Sequence, residues 1–371
     1  MASLRVFSSK DSAYHFAPIK KHKWPGLKIS KILAEQCAGI QYTDVQEFTF
    51  KNLHAQADFI LSESRGHDLF FFIEYNLNEV PGDAISQALA AGYRVFICAY
   101  FEPFTVKSFE ELNNSLPPGT TAGNCWFISA NTRVFDTSKP KDLNVAYFDF
   151  FSGYHVYGSR EYTQPAVGDP LPKKDFLCLT LRPRPARKYF LDLLKSHNIY
   201  DLGYTSEGGT TIEGANLTAE QMTAAANASC PPAFNNLSKW SNSVYFEIVM
   251  EDVNFSVPGT HDENFIVISE KIYRTILNKL PFIIYGKPDY LKYLRALGFK
   301  TYSDLFDESY DDVEDWQLRG RIIAKQVKSF CLKTESEKDI LRNRVQEVVD
   351  FNYQHLLNDN NLCRLFTERL V

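Results

Sequence analysis

Short apolar segments alternate with helical patterns along most of the chain. In the first half, Leu69–Glu74, Arg94–Tyr100, Cys125–Ser129 and Val145–Phe151 are apolar and strand-sized, and Gly82–Ala91 has the spacing of a helix. Continuous apolar strands separated by helices are typical of a parallel sheet that is covered on both faces. The pattern therefore predicts an α/β domain in the first half of the chain.

The same alternation returns in the second half. The predicted strands are Phe176–Leu181, Ser243–Val249, Phe265–Ile268 and Pro281–Tyr285, and the predicted helices are Arg187–His197, Ser269–Asn278 and Asp289–Gly298. Between them, residues 207–241 are polar and rich in Gly, Ala, Asn and Thr, which predicts short helices and loops. A second α/β domain is the architecture that results.

Composition marks the boundaries between these parts. Residues 164–174 are rich in Pro, Gly and Lys without periodicity, as is typical of a linker between domains. We predict an N-terminal Rossmann-like domain at residues 1–165, a C-terminal Rossmann-like domain at residues 175–316, and helices with charged faces at residues 317–371. A chain of 371 residues suits this division, since domains average about 150 residues.

Charge, cysteine usage and hydropathy exclude several classes of protein. The formal net charge of −5 argues against a chain that binds nucleic acid over its whole surface. The seven cysteines are scattered singly, without CxxC or zinc-ligand spacing, which favours a reducing compartment. No apolar run approaches the roughly 20 residues of a membrane span, and the N-terminus lacks the apolar core of a signal peptide. We therefore expect a soluble, cytoplasmic protein without a metal or a bound cofactor.

The strongest local signal for chemistry is the segment FLCLTLRPRPAR, Phe176–Arg187. Its apolar strand runs into Arg182, Arg184 and Arg187, with two prolines between them, directly before a helix begins. Guanidinium groups suit oxyanions, and a helix N-terminus adds backbone N–H groups and a positive dipole. The segment predicts a phosphate site, and a solvated basic turn is the alternative that these residues leave open.

A second signal is the segment Phe265–Gly286, in which Ser-Glu-Lys begins a helix. Ser269 is suited to cap that helix, the Glu270 carboxylate suits a ribose diol, and the Lys271 ammonium suits a phosphate. Glutamate in a first helical turn is also ordinary dipole chemistry, so a structural role for Glu270 stays open. Glu247 lies inside the apolar strand SVYFEIV, where a carboxylate is costly unless it has a partner or lies at an exposed end.

Together these segments resemble a known family. SEKIYRTILNKLPFIIYGKPDYLKYLRALGFKTY, with the strand FEIVMED before it, is similar to the donor-binding motif of the family-10 (α-1,3/4) fucosyltransferases and of related phage, algal-virus and bacterial glycosyltransferases. FLCLTLRPRPARKYFLDLL resembles the first strand, loop and helix of the C-terminal domain in that wider group. The resemblance covers roughly residues 175–315. It implies a GT-B fold, in which two Rossmann-like domains face a cleft and the C-terminal domain holds most of the nucleotide sugar.

The resemblance also implies roles for individual residues. Lys271 matches the lysine that contacts the donor diphosphate, Glu270 the acid at the donor ribose, and Arg187 the phosphate-binding arginine. Glu247 matches the carboxylate of the family's strand. The spacing around Phe255–Asn264 differs from the fucosyltransferase pattern, so the nucleotide and the sugar stay open.

The N-terminal half must then supply the acceptor side. An inverting transfer needs a general base that takes the proton of the acceptor hydroxyl. Glu102 follows a predicted strand directly and is fixed by Pro103, which makes it the first choice, with Glu74 and His155 as the other candidates. Each of them could equally serve as a cap or as a member of an ion pair.

The sequence thus predicts a metal-independent glycosyltransferase that uses a nucleotide-diphosphate sugar and a glycan or other hydroxyl acceptor. Two other hypotheses stay open. One is a transferase that modifies hydroxymethylated DNA bases and contacts DNA through Lys20, Lys21 and Lys23. The other is a non-catalytic module that binds a nucleotide or a glycan. In each case the protein is expected in the cytoplasm, which is that of the host if the source is a virus or phage.

Overall fold

The computed structural model of the chain describes residues 3–9, 41–48, 68–73, 89–90, 92, 95–99, 124–129, 144–147, 173–180, 184–207, 242–251, 266 and 268–358. The strands in these residues are β1 (Ser3–Ser9), β2 (Gln41–Phe48), β3 (Asp68–Ile73), β4 (Val95–Ala99), β5 (Cys125–Ser129), β6 (Asn144–Tyr147), β7 (Phe176–Thr180), β8 (Gly203–Glu207), β9 (Phe246–Met250) and β10 (Phe282–Tyr285). The main helices are α1 (Pro185–Ser196), α2 (Glu270–Leu277), α3 (Tyr290–Ala296), α4 (Trp316–Cys331), α5 (Glu335–Arg344) and α6 (Gln346–Asn358).

The strands form two sheets, and every strand pair in them is parallel. The first sheet has the order β2-β1-β3-β4-β5-β6, and the second has the order β10-β9-β7-β8. Each sheet belongs to one of two compact units of the chain. The predicted α/β class with parallel sheets is confirmed. The domain boundaries at 165, 175 and 316 stay predictions.

Most of the predicted strands are present, and the exceptions are informative. The prediction did not include β1, β2 and β8. The predicted strand Phe265–Ile268 is wrong in its described residues, because Ile266 and Ile268 are buried but lie outside any strand. The predicted helix Gly82–Ala91 is described only at its end, where residues 89–90 are helical.

One face of the second sheet is covered by α1 and α4. Phe246 of β9 packs edge-on against Phe330 of α4, with ring centroids 4.9 Å apart. Phe190 of α1 stacks on Tyr285 of β10 at 4.8 Å. The two helices also pack against each other. Aromatic rings from four elements therefore form the core on this side.

The opposite face is covered by α2 and α6, which pack against each other. Glu247 points to this face because it follows Phe246 in the strand, and successive strand side chains alternate between faces. There it meets Thr275 of α2, whose hydroxyl donates to Glu247 at 2.6 Å. Phe282 of β10 packs edge-on against Tyr302 on the same side, at 4.7 Å. The second sheet is thus the central layer of three, which explains why β7, β9 and β10 are wholly buried and read as continuous apolar runs.

Helix α5 docks at the amino end of this sheet. The Lys338 ammonium is buried and donates to Asp175, directly before β7, at 2.5 Å. The Tyr245 hydroxyl, directly before β9, donates to Glu335 at 2.8 Å and to Asp339 at 3.0 Å. These contacts hold α5 at the end of the sheet where β7 and β9 begin, opposite the carboxyl ends of the strands.

Helix α3 is capped by a residue distant in sequence. Asp289, at its N-cap position, has a left-handed backbone with φ 65° and provides no side-chain cap. The Asp311 carboxylate takes that role, because its Oδ2 accepts from the backbone N–H of Leu291 at 2.9 Å and of Lys292 at 3.3 Å. Burial raises the pKa of Asp311 from 3.8 to about 6, against the lowering effect of these two hydrogen bonds.

This cap predicts an unusual dependence of stability on pH. The folded state holds the Asp311 proton more tightly than the unfolded chain does. The contribution of Asp311 to the free energy of unfolding is therefore fully present below about pH 4 and is lost as the pH rises through about 6. We expect the stability advantage of the wild type over Asp311→Asn to shrink across that range by up to about 3 kcal/mol. Urea denaturation of both proteins between pH 4 and pH 7 measures this difference.

Asp307 provides a matched control of opposite sign. Its carboxylate accepts from the backbone N–H and the hydroxyl of Ser309, and these bonds lower its pKa. The stabilising effect of Asp307 is present above about pH 4 and is lost only as the pH falls further, so the cost of Asp307→Asn is expected to stay nearly constant between pH 4 and pH 7. A pH-independent cost of Asp311→Asn would contradict the prediction.

Candidate functional site

The topology of the second sheet marks one place where a ligand can bind. The chain passes from β7 to β8 on one side and then returns across the sheet to β9 and β10 on the other. In open α/β sheets, ligands bind at the carboxyl ends of the strands, where the strand order reverses. That point lies between β7 and β9. The helices α1 and α2 cover opposite faces of the sheet, and each begins after one of these two strands.

The start of α1 brings positive charge to this point. Arg184 is the N-cap residue, with the extended backbone of a chain entering a helix, and Pro185 occupies the first helical turn, where its missing N–H has no cost. Arg187 lies in the same turn and is only 7% exposed. Its positive charge acts on Cys178 of β7. Burial first, and then Glu247, raise the pKa of the Cys178 thiol well above its ordinary range, whereas Arg187 lowers it.

The start of α2 faces the same point from the other side of the sheet. Ser269 is the N-cap residue, as predicted, and its Oγ accepts from the backbone N–H of Lys271 at 3.3 Å. Glu270 is the first residue of the helix, and its side chain lies outside the described part of the structure. The Lys271 side chain is 23% exposed.

A buried carboxylate that the sequence analysis did not single out connects these groups. Glu251 directly follows β9 and is 4% exposed. Its Oε1 accepts from Ser269 Oγ at 2.5 Å and from Tyr290 Oη at 2.9 Å, and its Oε2 accepts from Lys271 Nζ at 3.2 Å. Gly286 allows this packing, since a Cβ there would lie 3.3 Å from Glu251 Cβ and 3.2 Å from the Tyr290 ring. We call Glu251, Ser269, Lys271 and Tyr290 the Glu251 cluster.

Glu247 lies at the other end of the same strand. It is 1% exposed, and it forms a buried ion pair with Arg274 and a hydrogen bond with Thr275, both on α2. Glu251 lies four positions further along the chain, or about 13 Å at the usual rise of a strand. The structure therefore gives Glu247 a buried partner, as a strand carboxylate requires, and places Glu251 at the carboxyl end.

The period of the strand is the signal that could have identified Glu251. Glu247, Val249 and Glu251 fall on one face of β9, because strand side chains alternate with a period of two. The last of them emerges at the carboxyl end, beside the helix N-terminus. No comparable local signal exists for Tyr290, which lies 39 residues from Glu251 in the sequence.

Several predicted site residues lie outside the described residues. They are Glu74, Glu102, His155 and Arg182, together with the basic segment at Lys20, Lys21 and Lys23. The assignments made to them stay predictions. Of the predicted donor site, the structure brings together Ser269 and Lys271 in one cluster, and it places Arg184 and Arg187 at the start of the facing helix.

Two further searches cover only the residues that the structure describes. Among them, no group of three or more His, Cys, Asp or Glu side chains is placed to hold a metal ion. In the same residues, no helix combines the length and the apolar character that crossing a membrane requires.

Comparisons with known proteins found similarity only among solved structures. No family model matches the chain, and no curated protein matches it. A solved structure described as "S. aureus MnaA-UDP co-structure" aligns over 100% of this chain and 98% of that chain, with a TM-score of 0.43 and 9% sequence identity. Similarity at that level does not indicate what this chain binds.

Proposed function

We propose that the protein is a glycosyltransferase that moves a sugar from a nucleotide-diphosphate sugar to a hydroxyl acceptor. One observation carries the proposal: two helices begin at the switch point of the second sheet, with Arg187 in one first turn and Lys271 in the other. The first backbone N–H groups of a helix have no partner within it, and the helix dipole is positive there. Two such starts with added cationic side chains suit a diphosphate.

The same groups suit the departure of a leaving group. In the transfer, the acceptor oxygen bonds to the anomeric carbon, and the bond from that carbon to the diphosphate oxygen breaks. The electron pair goes to the diphosphate, which gains negative charge. Arg187 and Lys271, with Arg182 and Arg184, are proposed to stabilise that charge where it develops. Glu270 is proposed to accept a hydrogen bond from the donor ribose, in line with the family resemblance.

The acceptor side is proposed to lie in the N-terminal half of the chain, and the whole chain to have a GT-B architecture. In the six-stranded parallel sheet, as in the second sheet, the second strand lies on one side of the first and the third strand lies on the other side. The six-stranded sheet therefore also has a switch point, between β1 and β3. Glu102 is proposed as the general base that takes the proton of the acceptor hydroxyl, with Glu74 and His155 as alternatives.

A donor and acceptor screen tests this function. The wild-type protein is incubated with single UDP-, GDP- and dTDP-linked sugars and with glycan acceptors or hydroxymethylated DNA, and the released nucleoside diphosphate is measured. We expect one donor to be turned over. Transfer to the modified DNA alone would favour the DNA-modifying hypothesis. Binding of a nucleoside diphosphate without transfer to any acceptor would favour a non-catalytic module.

Metal independence is a separate prediction. Transfer is expected to continue in excess EDTA at a rate within about twofold of the untreated enzyme, because arginine and lysine side chains take the place of a cation at the leaving group. The rate is measured with and without EDTA, and again after addition of Mg²⁺ or Mn²⁺. Loss of activity that only the metal restores would contradict the proposed mechanism.

A further inference from the structure

Glu251 has no role in the binding and transfer steps described above, yet three side chains donate hydrogen bonds to it at the carboxyl end of β9. Side chains from the starts of two helices, α2 and α3, donate to its two oxygens. A buried carboxylate with this number of partners is costly to assemble, and it constrains every group that it contacts.

The group that it constrains most is the ammonium of Lys271. Lys271 Nζ donates to Glu251 Oε2 at 3.2 Å and to Ser269 Oγ at 2.9 Å. Two acceptors thus define where this end of a long, flexible side chain lies before any ligand arrives. A cation that is already fixed loses less conformational entropy when an anion binds to it.

Glu251 also determines which hydrogen bonds the Ser269 hydroxyl donates and accepts. The Ser269 hydroxyl donates its single proton to Glu251 Oε1 at 2.5 Å. Its lone pairs then accept from the Lys271 backbone N–H and from Lys271 Nζ. The helix cap and the ammonium therefore depend on the same carboxylate.

We propose that Glu251 is a positioning residue that holds the Lys271 ammonium at the start of α2, where the donor diphosphate binds. This inference rests on the proposed function for the identity of the ligand. Glu251 acts through Lys271 and does not itself contact the diphosphate.

The substitution Glu251→Gln tests the role with little change of shape. Ser269 and Tyr290 both donate to Oε1, so the amide oxygen is expected to take that position. The amide NH₂ then faces Lys271 Nζ and cannot accept from it. Glu251→Asp is the second variant, because it keeps the charge but withdraws it by one methylene group from the ammonium.

Titration calorimetry with UDP, GDP and dTDP measures the consequence in EDTA-treated full-length protein. We expect Glu251→Gln to weaken binding of the preferred nucleotide at least tenfold, and Glu251→Asp to weaken it in the same direction. In a Lys271→Met background, Glu251→Gln is expected to change the affinity less than twofold, since the group through which it acts is gone. An unchanged or tighter affinity of Glu251→Gln, or an equal loss in both backgrounds, would overturn the proposal.

The matched control is Glu308→Gln, which removes a carboxylate that pairs with Arg295 and Thr301 away from the site. It is expected to leave the nucleotide affinity unchanged. A similar loss of nucleotide affinity in Glu308→Gln would mean that the effect of Glu251→Gln comes from a general disturbance of the fold. That result would also overturn the proposal.

A second readout needs no nucleotide. Mass spectrometry follows the rate at which an amine-reactive reagent labels each lysine, and Lys271 is expected to react several-fold faster in Glu251→Gln than in the wild type. The exposed Lys188 and Lys292 serve as internal references. If the wild type binds none of UDP, GDP and dTDP, the proposed function fails, and the labelling rate of Lys271 alone decides the positioning role. An unchanged rate would overturn it.

Discussion

Replacement of Lys271 by alanine is expected to abolish measurable sugar transfer and to weaken binding of the donor diphosphate by about 2–3 kcal/mol, or roughly 30- to 150-fold. Lys271 lies in the first turn of α2, where a charge-assisted hydrogen bond adds to the backbone N–H groups and the dipole of the helix. The loss in turnover should exceed the loss in affinity, because the diphosphate carries more negative charge in the transition state than in the bound donor. Steady-state kinetics and calorimetry on the same preparations separate the two effects.

The main confounder is the stability of the Glu251 cluster. Alanine at position 271 leaves the buried Glu251 carboxylate without its ammonium partner, although Ser269 and Tyr290 still donate to it. Lys271→Met fills the same space, and its melting curve shows whether the fold is retained. Lys292→Ala removes an exposed lysine from α3 and is expected to behave as the wild type does. Near-wild-type turnover of Lys271→Ala would remove the donor-site assignment.

The second large effect is expected on the acceptor side. If a general base in the N-terminal half takes the proton of the acceptor hydroxyl, Glu102→Gln or Glu74→Gln should lower kcat by roughly 10²- to 10⁴-fold. The affinity for the donor should hardly change, because the base acts on the acceptor and not on the nucleotide. The amide keeps the shape of the side chain, so a folding defect is not the expected cause, and a melting curve checks this.

The two substitutions are expected to be unequal. Only one carboxylate can lie in line with the acceptor hydroxyl and the anomeric carbon, so one variant should lose most of its activity and the other little. His155→Ala is the third variant in the series. If all three proteins transfer sugar at the wild-type rate, the general base lies elsewhere and the assignment of the acceptor side is wrong.

In the second sheet, the strands that the sequence predicted are those whose burial is complete. β7, β9 and β10 have helices on both faces, so every position is apolar or paired and the pattern is continuous. β8 lacks that signal because, among the described strands, it lies at the edge of the sheet beside β7, and its sequence, GYTSE, is polar. Its Gly203 packs so closely on Phe176 that a Cβ would lie 2.1 Å from the ring. At Gly203 the backbone of β8 packs directly on the Phe176 ring, without a large apolar side chain. The pattern of apolar residues in the sequence does not reveal such packing.

The candidate donor site was predictable in part, and the limit is physical. Ser269 and Lys271 could be identified from the sequence because an N-cap and a first-turn cation are local features of the start of a helix. The Glu251 cluster depends on contacts between residues 18 to 39 positions apart, which only the packing of α2 and α3 on the sheet brings together. The family resemblance directed attention to Glu247, whereas the fold places Glu251 at the carboxyl end of the same strand.

Hydrogen exchange with and without a nucleoside diphosphate tests the central claim most directly. Backbone N–H groups in the first turn of a helix lack partners within that helix and exchange rapidly unless a ligand accepts from them. Mass spectrometry is used to compare the protein in EDTA alone with the protein saturated with UDP or GDP. Slower exchange is expected at residues 184–190 and 269–275, the starts of α1 and α2, and no change at α5, on the opposite edge of the sheet. Saturation that protects other segments and leaves both helix starts unchanged would contradict the claim that the diphosphate binds between them.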